Sequence, residues 1–244
     1  MNSKSSVVFW WVAALLLAAV FARLGFWQWS RAEEKRVQLA EVATVMADPR
    51  PVELTAPLSG DYSWAQGRGR FESSPVILLD NQQREGRVGV QVYGVFVPES
   101  APEQRMLVDL GWLPMDGQRD WPTVQLPQGT VQVSGLRSAP PAIGIRVGAG
   151  AGALQKRGER WLVTYLDLAE MEPQLGAQGR LVRQVLRLDP KLPMGYTRDL
   201  VLHANSLPPE RHVGYAVQWW GLSLTVLLTA LVLSWRARKR QVAG

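Results

Sequence analysis

Two long stretches without charge dominate the hydropathy pattern of this 244-residue chain. One covers residues 7–22 and the other covers residues 213–235, whereas the sequence between them mixes apolar and charged positions. A transmembrane helix needs about 20 apolar residues. The second stretch is long enough by itself, and the first is long enough if it continues past Arg23, because an arginine near a helix end can extend its head group to the interface. The pattern predicts two membrane spans, at residues 7–29 and 212–235.

The intervening segment, residues 30–211, reads as a β-rich domain. A helical stretch follows the first span and should end before Pro49. Beyond a Pro/Ser/Gly-rich linker come short runs rich in Val, Leu and aromatic residues, bounded by Gly, Pro, Asp or Asn, which are typical of strands: GRGRF, PVILLD, VGVQVYGVFVP, RMLVDLGWLP, GTVQVSGLRS, RWLVTYLDL and RLVRQVLRLDP. Several runs alternate apolar and polar residues, as antiparallel strands with one buried face do. Few long helices separate them, which argues against a parallel βαβ sheet.

Two further segments complete the predicted architecture. The sequence DLAEMEPQLG predicts a short helix with Asp167 as its N-cap. Residues 138–160 are rich in Gly, Ala and Pro and predict a long mobile loop. The expected fold is a membrane protein of the α+β class, with two transmembrane helices flanking an extracytoplasmic antiparallel sheet, curled or barrel-like, of about six or seven strands.

The distribution of basic residues orients the two spans. The tail at residues 236–244 holds Arg236, Arg238, Lys239 and Arg240 and no acid, which places it in the cytoplasm by the positive-inside bias. With two spans, residues 1–6 are then cytoplasmic too, and residues 30–211 lie in the periplasm of a bacterium or the intermembrane space of a mitochondrion. A cleaved signal peptide ending at VFA is the alternative. The aromatic continuation LGFWQW instead favours a retained helix in the inner membrane.

Composition excludes several classes of function. The chain has no cysteine, which rules out disulfides, thiolate metal sites and covalent c-type haem attachment. Its net charge of +6 is spread along the chain, which is typical of a solvated surface and not of a nucleic-acid interface. The two histidines, His203 and His212, have no second His or Cys at metal-ligand spacing, so a zinc or copper site made by this chain alone is not expected.

No catalytic motif is recognisable in the sequence. There is no GxSxG elbow, and GAGAGAL lacks the ending of a P-loop. Asp80, Asp109 and Asp116 lie near the ends of predicted strands, where turn formation explains them. An acid/base role for these carboxylates remains an alternative.

Helical spacing places chemistry at the two membrane boundaries. On the first helix one face carries Leu24, Trp27, Gln28, Arg31 and Lys35. On the second, one face carries His212, Tyr215, Ala216 and Trp219. Both segments fall at the outer leaflet, so they can face one another. Tryptophans there are often interfacial belt residues, and glutamines often join helices. Polar groups at this membrane depth are unfavourable in free energy unless they are paired or bind a ligand. Their presence here therefore favours a functional site.

The same motifs resemble those of the Surfeit-locus family of cytochrome oxidase assembly proteins. The resemblance runs in order through LGFWQWSRAEEK, the central LLDNQQREGRVGVQVYGVFVP and RMLVDLGWLP, and the closing RHVGYAVQWW. Its most specific positions are Leu24, Gly25, Trp27, Gln28 and Arg31, then Gly111, Trp112 and Pro114, and finally His212, Tyr215, Ala216, Gln218 and Trp219.

The resemblance implies a chaperone and not an enzyme. Such a protein would assist haem a insertion into the catalytic subunit of cytochrome c oxidase, with that subunit, haem a synthase and the lipid bilayer as partners. It implies His212 as a ligand of the haem iron, in a site completed by Tyr215, Trp219, Trp27 and Gln28, with Arg31 pairing a propionate.

Three questions stay open at the level of sequence. A scaffold that binds the oxidase subunit and never holds haem is one alternative. A membrane-anchored extracytoplasmic enzyme using Asp80 or Asp109 is another. These residues also do not distinguish haem a from haem b, because an imidazole and a tryptophan cleft would accept either ring.

Overall fold

The computed structural model of the chain describes residues 3–57, 60–142, 154–175, 179–200 and 207–242. The chain divides into two compact units. The first contains the chain up to Ala40 together with the C-terminal helix, and the second contains the segment between them, beginning at Glu41. Helix α1 (Ser3–Ala47), as far as Ala40, and helix α3 (Pro209–Val242) supply the first unit. Both helices are long and apolar enough to cross a membrane. Helix α1 is continuous through the predicted first span and ends just before Pro49, as the sequence predicts.

Small residues seven positions apart form the contact seam of the helix pair. Ala18, Gly25 and Ala32 are buried on α1, and Ala216 is buried on α3. Small side chains allow helix backbones to approach closely. A seven-residue repeat keeps such a seam in contact along two helices that supercoil in the left-handed sense.

Hydrogen bonds along the seam show that the two helices run antiparallel. Near the start of α1, Trp11 Nε1 donates to Ser234 Oγ at 2.8 Å. Further along, Ser223 Oγ donates to the carbonyl oxygen of Ala18 at 2.9 Å. Residue numbers therefore rise along α1 as those of its partners fall along α3.

Within its described residues, the second unit holds eight strands and one short helix. The strands are β1 (Val52–Glu53), β2 (Tyr62–Arg84), β3 (Arg87–Pro98), β4 (Gln104–Pro114), β5 (Thr130–Ser138), β6 (Gln155–Arg157), β7 (Arg160–Val163) and β8 (Arg180–Leu188), and helix α2 spans Leu168–Leu175. The strands β2, β3, β4, β8 and β5 pair successively, and β5 returns to β2, so the five form a closed ring. The α+β class predicted from the sequence is confirmed.

The sheet is mixed, whereas the sequence predicts antiparallel pairing. Strand β8 runs parallel to β4, β7 runs parallel to β2, and β1 also pairs with β2 in parallel. Parallel neighbours require a crossover connection, and here β8 is reached only after β5, β7 and α2. The alternation of apolar residues reports which face of a strand is buried but not its direction, which is why the expectation was wrong.

Two predicted boundaries also differ from the structure. The runs GRGRF and PVILLD belong to one strand of 23 residues, β2. Its pairing with β3 shifts register between Phe71 and Val76, so the polar Ser-Ser-Pro segment marks an irregularity and not the end of a strand. The predicted loop at 138–160 contains β6 at its C-terminal end, while residues 143–153 of it lie outside the described residues.

The described residues of this unit form three hydrophobic clusters. One contains residues from all five ring strands, among them Leu78, Val92, Val108, Val133 and Leu186. A second lies on the opposite sheet face and includes Met171 and Leu175 of α2. The third packs Val42, from the last turns of α1, against Leu136 and Leu200. The predicted N-cap of α2 is confirmed, because Asp167 Oδ1 accepts the backbone N–H groups of Ala169 and Glu170 at 2.9 and 3.2 Å.

Candidate functional site

The structure brings Gln28 of α1 and His212 of α3 into direct contact. The imidazole Nδ1 of His212 lies 2.7 Å from Gln28 Oε1. Because the amide oxygen can only accept, Nδ1 carries a hydrogen, and in the neutral form of the ring the lone pair is then on Nε2. That Nε2 is buried and has no hydrogen-bond partner among the described residues.

Local sequence explains why His212 stands at this place. Helix α3 begins at Pro209, a residue suited to the first helical position because its φ is preset and its missing N–H needs no partner there. Lys35 Nζ donates to the carbonyl oxygen of Leu207, which ties the segment before α3 to α1. His212 therefore sits in the first turn of α3, facing the α1 seam.

A tryptophan that is not among the predicted site residues, Trp220, also packs against α1. The Trp220 ring rests against Gly25, where a Cβ atom would overlap the indole. Its centroid is 5.4 Å from that of Phe26 and 6.0 Å from that of Trp29. The Trp220 Nε1 is buried and, like His212 Nε2, has no partner among the described residues. A glycine seven residues from Ala18 and Ala32 was the available sequence signal.

The other predicted site residues are exposed or make different contacts. Trp219 is partly buried and its ring centroid is 5.5 Å from that of Phe21. Trp27 and Tyr215 are 55% and 39% exposed. Arg31 is exposed and forms an ion pair with Glu34 at 2.6 Å. Of the six predicted residues, the structure thus joins Gln28 and His212 and leaves Trp27, Tyr215 and Arg31 on the surface of the helix pair.

The arrangement can bind a metal ion that arrives with its own ligands. Through the described parts of the chain, no group of three or more His, Cys, Asp or Glu side chains is placed to hold a metal. A single imidazole whose second nitrogen donates to an oxygen could serve as the protein ligand of such an ion. The other histidine, His203, lies outside the described residues.

The carboxylates considered as acid/base groups have structural partners. Asp80 pairs with Arg119 at 2.5 Å. The buried Asp109 accepts from Gln91 Nε2 at 2.5 Å and from the backbone N–H of Gly111 at 3.0 Å. The third, Asp116, accepts the backbone N–H of Asp120 at 3.0 Å. These contacts give the three carboxylates structural roles in turns and between strands.

Burial of Asp109 leads to a testable pH dependence. Desolvation raises the pKa of Asp109, although the Arg187 guanidinium at 3.6 Å acts in the opposite direction. The folded chain therefore holds this proton at pH values where the unfolded chain has lost it, so stability rises as pH falls towards the ordinary value of about 3.9. We expect the free energy of unfolding of the native chain, measured relative to Asp109→Asn by urea unfolding, to increase from pH 7 to pH 4.5. A constant difference would contradict the raised pKa.

Comparison with known proteins assigns the family. No curated protein sequence matches the chain significantly. The sequence profile of the SURF1 family, however, matches residues 15–224 and thus includes both Gln28 and His212. Members of this family are assembly factors associated with cytochrome c oxidase. The match covers most of the chain, which therefore belongs to the SURF1 family.

Proposed function

We propose that this protein holds haem a at the Gln28–His212 pair and assists its insertion into the catalytic subunit of cytochrome c oxidase. The observation that carries the proposal is the His212 ring, whose Nδ1 is fixed by Gln28 while its buried Nε2 lacks a partner among the described residues. Buried polar atoms are nearly always hydrogen-bonded, so a free imidazole nitrogen at this position suits a ligand.

The surrounding residues fit a haem as cargo. His212 would supply one ligand to the iron, and Trp219 and Trp27 would contact the macrocycle. Arg31 is exposed and could exchange its ion pair with Glu34 for a propionate. The haem itself supplies the redox centre of the oxidase, so this chain has only to bind, orient and release it.

Loading and release require a local movement. The Nε2 of His212 has essentially no accessible surface, so iron reaches it only when a covering side chain shifts. Such a site favours transient holding, as expected of a protein that hands its cargo to the oxidase subunit and receives it from haem a synthase.

Two belts of tryptophan support a position in the inner membrane. On α1, Trp11 and Trp29 are 18 residues apart, which corresponds to about 27 Å of helix. On α3, Trp219 and Trp235 are separated by about 24 Å. Both spacings suit the hydrocarbon core of a bilayer. Near the tail, Lys239 Nζ lies 4.0 Å from the Trp235 ring centroid. We place both termini in the cytoplasm, the second unit in the periplasm, and the Gln28–His212 pair at the outer leaflet.

The proposal is tested by the absorption spectrum of the purified full chain, expressed with and without haem a synthesis. We expect a haem a spectrum only in the first case. His212→Ala should lower haem a occupancy at least tenfold, and Gln28→Leu about tenfold, because loss of a partner to a metal-binding histidine costs about 10–100-fold in affinity. Gln218→Leu, which alters an exposed amide on α3, is the matched control and should bind normally.

Two outcomes would contradict the proposal. Full haem a occupancy of His212→Ala would exclude His212 as the ligand. Tight association with the oxidase subunit that is unchanged when haem a synthesis is blocked, together with a haem-free native chain, would favour a scaffold in place of a haem carrier.

A further inference from the structure

Arg23 is a charged residue inside the first proposed span. It lies six residues before Trp29, which corresponds to about 9 Å of helix towards the middle of the bilayer. Helix α1 continues without a break to Ala47, so Arg23 does not stand at a helix end. A guanidinium does not lose its proton in proteins, whereas a lysine can become neutral when it is buried. Arg23 is therefore a permanent cation within the membrane.

This cation lies on the side of α1 that is turned away from α3. The contact seam of the two helices contains the buried Ala18 and Gly25. At about 100° per residue, Arg23 is about 140° from Ala18 and about 160° from Gly25 around the helix. Arg23 is exposed, and so are Leu16 and Val20 on the same side. In a membrane this face of α1 meets lipid or another protein.

The described part of the helix pair provides no counter-ion for Arg23. The side chain makes no hydrogen bond or ion pair with another described residue. Residues 7–29 and 212–235 contain no Asp or Glu. The first acid after Arg23 on α1 is Glu33, about 15 Å further along the helix, and it pairs with Arg36. A second copy of the chain would bring another cation to this depth and no carboxylate.

The direction of α1 makes a lipid phosphate an unfavourable partner. The sequence alone allows the Arg23 head group to extend to the interface. Helical side chains, however, lean towards the N-terminus of their helix, and the N-terminus of α1 is cytoplasmic in the proposed topology. Arg23 therefore leans towards the middle of the bilayer and away from the nearer, outer surface. This orientation favours an anion within the membrane over a headgroup at its surface.

We propose that Arg23 is a docking site for a transmembrane helix of a partner protein that carries an Asp or Glu carboxylate at this depth. Charged side chains within spans are almost always paired. A planar guanidinium binds a carboxylate through two parallel hydrogen bonds, and the attraction is strong where water is excluded. Leu16 and Val20 would pack against apolar side chains of the docked helix.

This docking site is separate from the proposed haem site. Gln28 lies about 140° around α1 from Arg23, so a helix docked at Arg23 and a haem at Gln28 occupy different faces. The inference rests on the proposed placement of α1 across the membrane and not on haem binding.

Photocrosslinking in membranes of cells that assemble the oxidase tests the proposal. The full chain carries the photoreactive p-benzoylphenylalanine in place of Val20, three residues from Arg23 on the same face. We expect a cross-link to a membrane protein, and mass spectrometry should map it to a transmembrane segment that contains Asp or Glu. The same photoreactive residue in place of Leu224, which is exposed on α3, is the control and should give no cross-link that depends on Arg23.

Substitutions of Arg23 show whether the contact depends on the ion pair. Arg23→Leu should lower the yield of the cross-link at least tenfold, because removing one partner of a desolvated ion pair leaves the other charge unpaired. Arg23→Lys keeps the charge but not the planar fork, so it should lower the yield less. Neutralising the carboxylate of the cross-linked segment should have the same effect as Arg23→Leu. Arg36→Leu, which removes an exposed arginine beyond the span, is the matched control and should change nothing.

Three outcomes would overturn the docking role of Arg23. They are an adduct with lipid alone, a cross-link to a segment without Asp or Glu, and a yield that Arg23→Leu leaves unchanged at equal amounts of chain in the membrane. A charge-dependent cross-link to a protein other than the oxidase subunit or haem a synthase would support the docking role and contradict the proposed partners. A native chain that cross-links as expected but binds no haem a would contradict haem binding alone.

Discussion

Replacing Arg137 by alanine should lower the free energy of unfolding of the second unit by about 3–5 kcal/mol. Arg137 lies on β5 and is only 1% exposed. Its Nη1 donates to the carbonyl oxygens of Leu54 and Ala56 at 2.8 and 2.6 Å. Its Nε donates to Ser63 Oγ at 3.1 Å. One guanidinium thus holds the segment around β1 against the sheet.

The expected loss of stability follows from the unpaired groups and the cavity that Arg137→Ala would leave. Burial lowers the pKa of the Arg137 guanidinium. Its hydrogen bonds to described residues go to neutral oxygens and not to carboxylates. Truncation would leave buried carbonyls unpaired and open a cavity.

Pulse proteolysis of the full chain in urea measures this change. Arg70→Ala, which removes an exposed arginine from the neighbouring β2, is the control and should stay within about 0.5 kcal/mol of the native chain. An Arg137→Ala chain as stable as the control would show that these hydrogen bonds do not hold the β1 segment.

Gly111→Ala should destabilise the same unit by a similar amount, about 3–5 kcal/mol. Gly111 has a φ of +114°, a conformation that strains any residue with a Cβ. A Cβ there would also lie 2.7 Å from the carbonyl oxygen of Tyr196 and 2.9 Å from that of Thr197. The glycine lets the segment after β8 lie directly against β4.

Trp112 depends on this close approach. Its backbone N–H donates to Thr197 O at 2.8 Å, and its indole N–H donates to Gln82 O at 3.0 Å. Urea unfolding of Gly111→Ala, compared with Gly117→Ala, tests the prediction, because a Cβ at Gly117 would have no atom within 4 Å. Equal stability of the two variants would contradict it. The Gly-Trp pair that contributes to the family resemblance thus has a structural explanation in this chain.

Local patterns predicted the elements of the fold well. The two long helices, both candidate membrane spans, follow from uncharged stretches about as long as a bilayer crossing requires. The end of α1 and the N-cap of α2 follow from Pro49 and Asp167, whose effects on the backbone are local. The pairing of strands was not predictable in the same way. The direction of β7 and β8 depends on the path by which the chain returns to the sheet. The alternation of apolar and polar residues encodes neither the register shift within β2 nor the continuation of β2 past that shift.

The sequence predicted only part of the candidate site, because helical spacing alone does not show which residues lie at the contact between the two helices. A helical wheel placed Gln28 and His212 on facing stripes, and they are in contact. The same wheel placed Trp27 beside Gln28, but Gly25 is buried and Gln28 is partly buried, whereas Trp27 is exposed. Trp220 lies 100° around α3 from Trp219. Only the close approach at Gly25 brings its ring to α1.

The separation of α1 and α3 along the chain also sets an order of events during synthesis. Helix α1 enters the membrane first, and the whole second unit is made before α3 emerges from the ribosome. Throughout that interval Gln28 lacks its contact with His212, and Gly25 lacks its contact with the Trp220 ring. A translation product that stops before Pro209 therefore carries only half of the proposed haem site. Only a completed chain would compete for the cofactor, so unfinished molecules would not draw haem away from oxidase assembly.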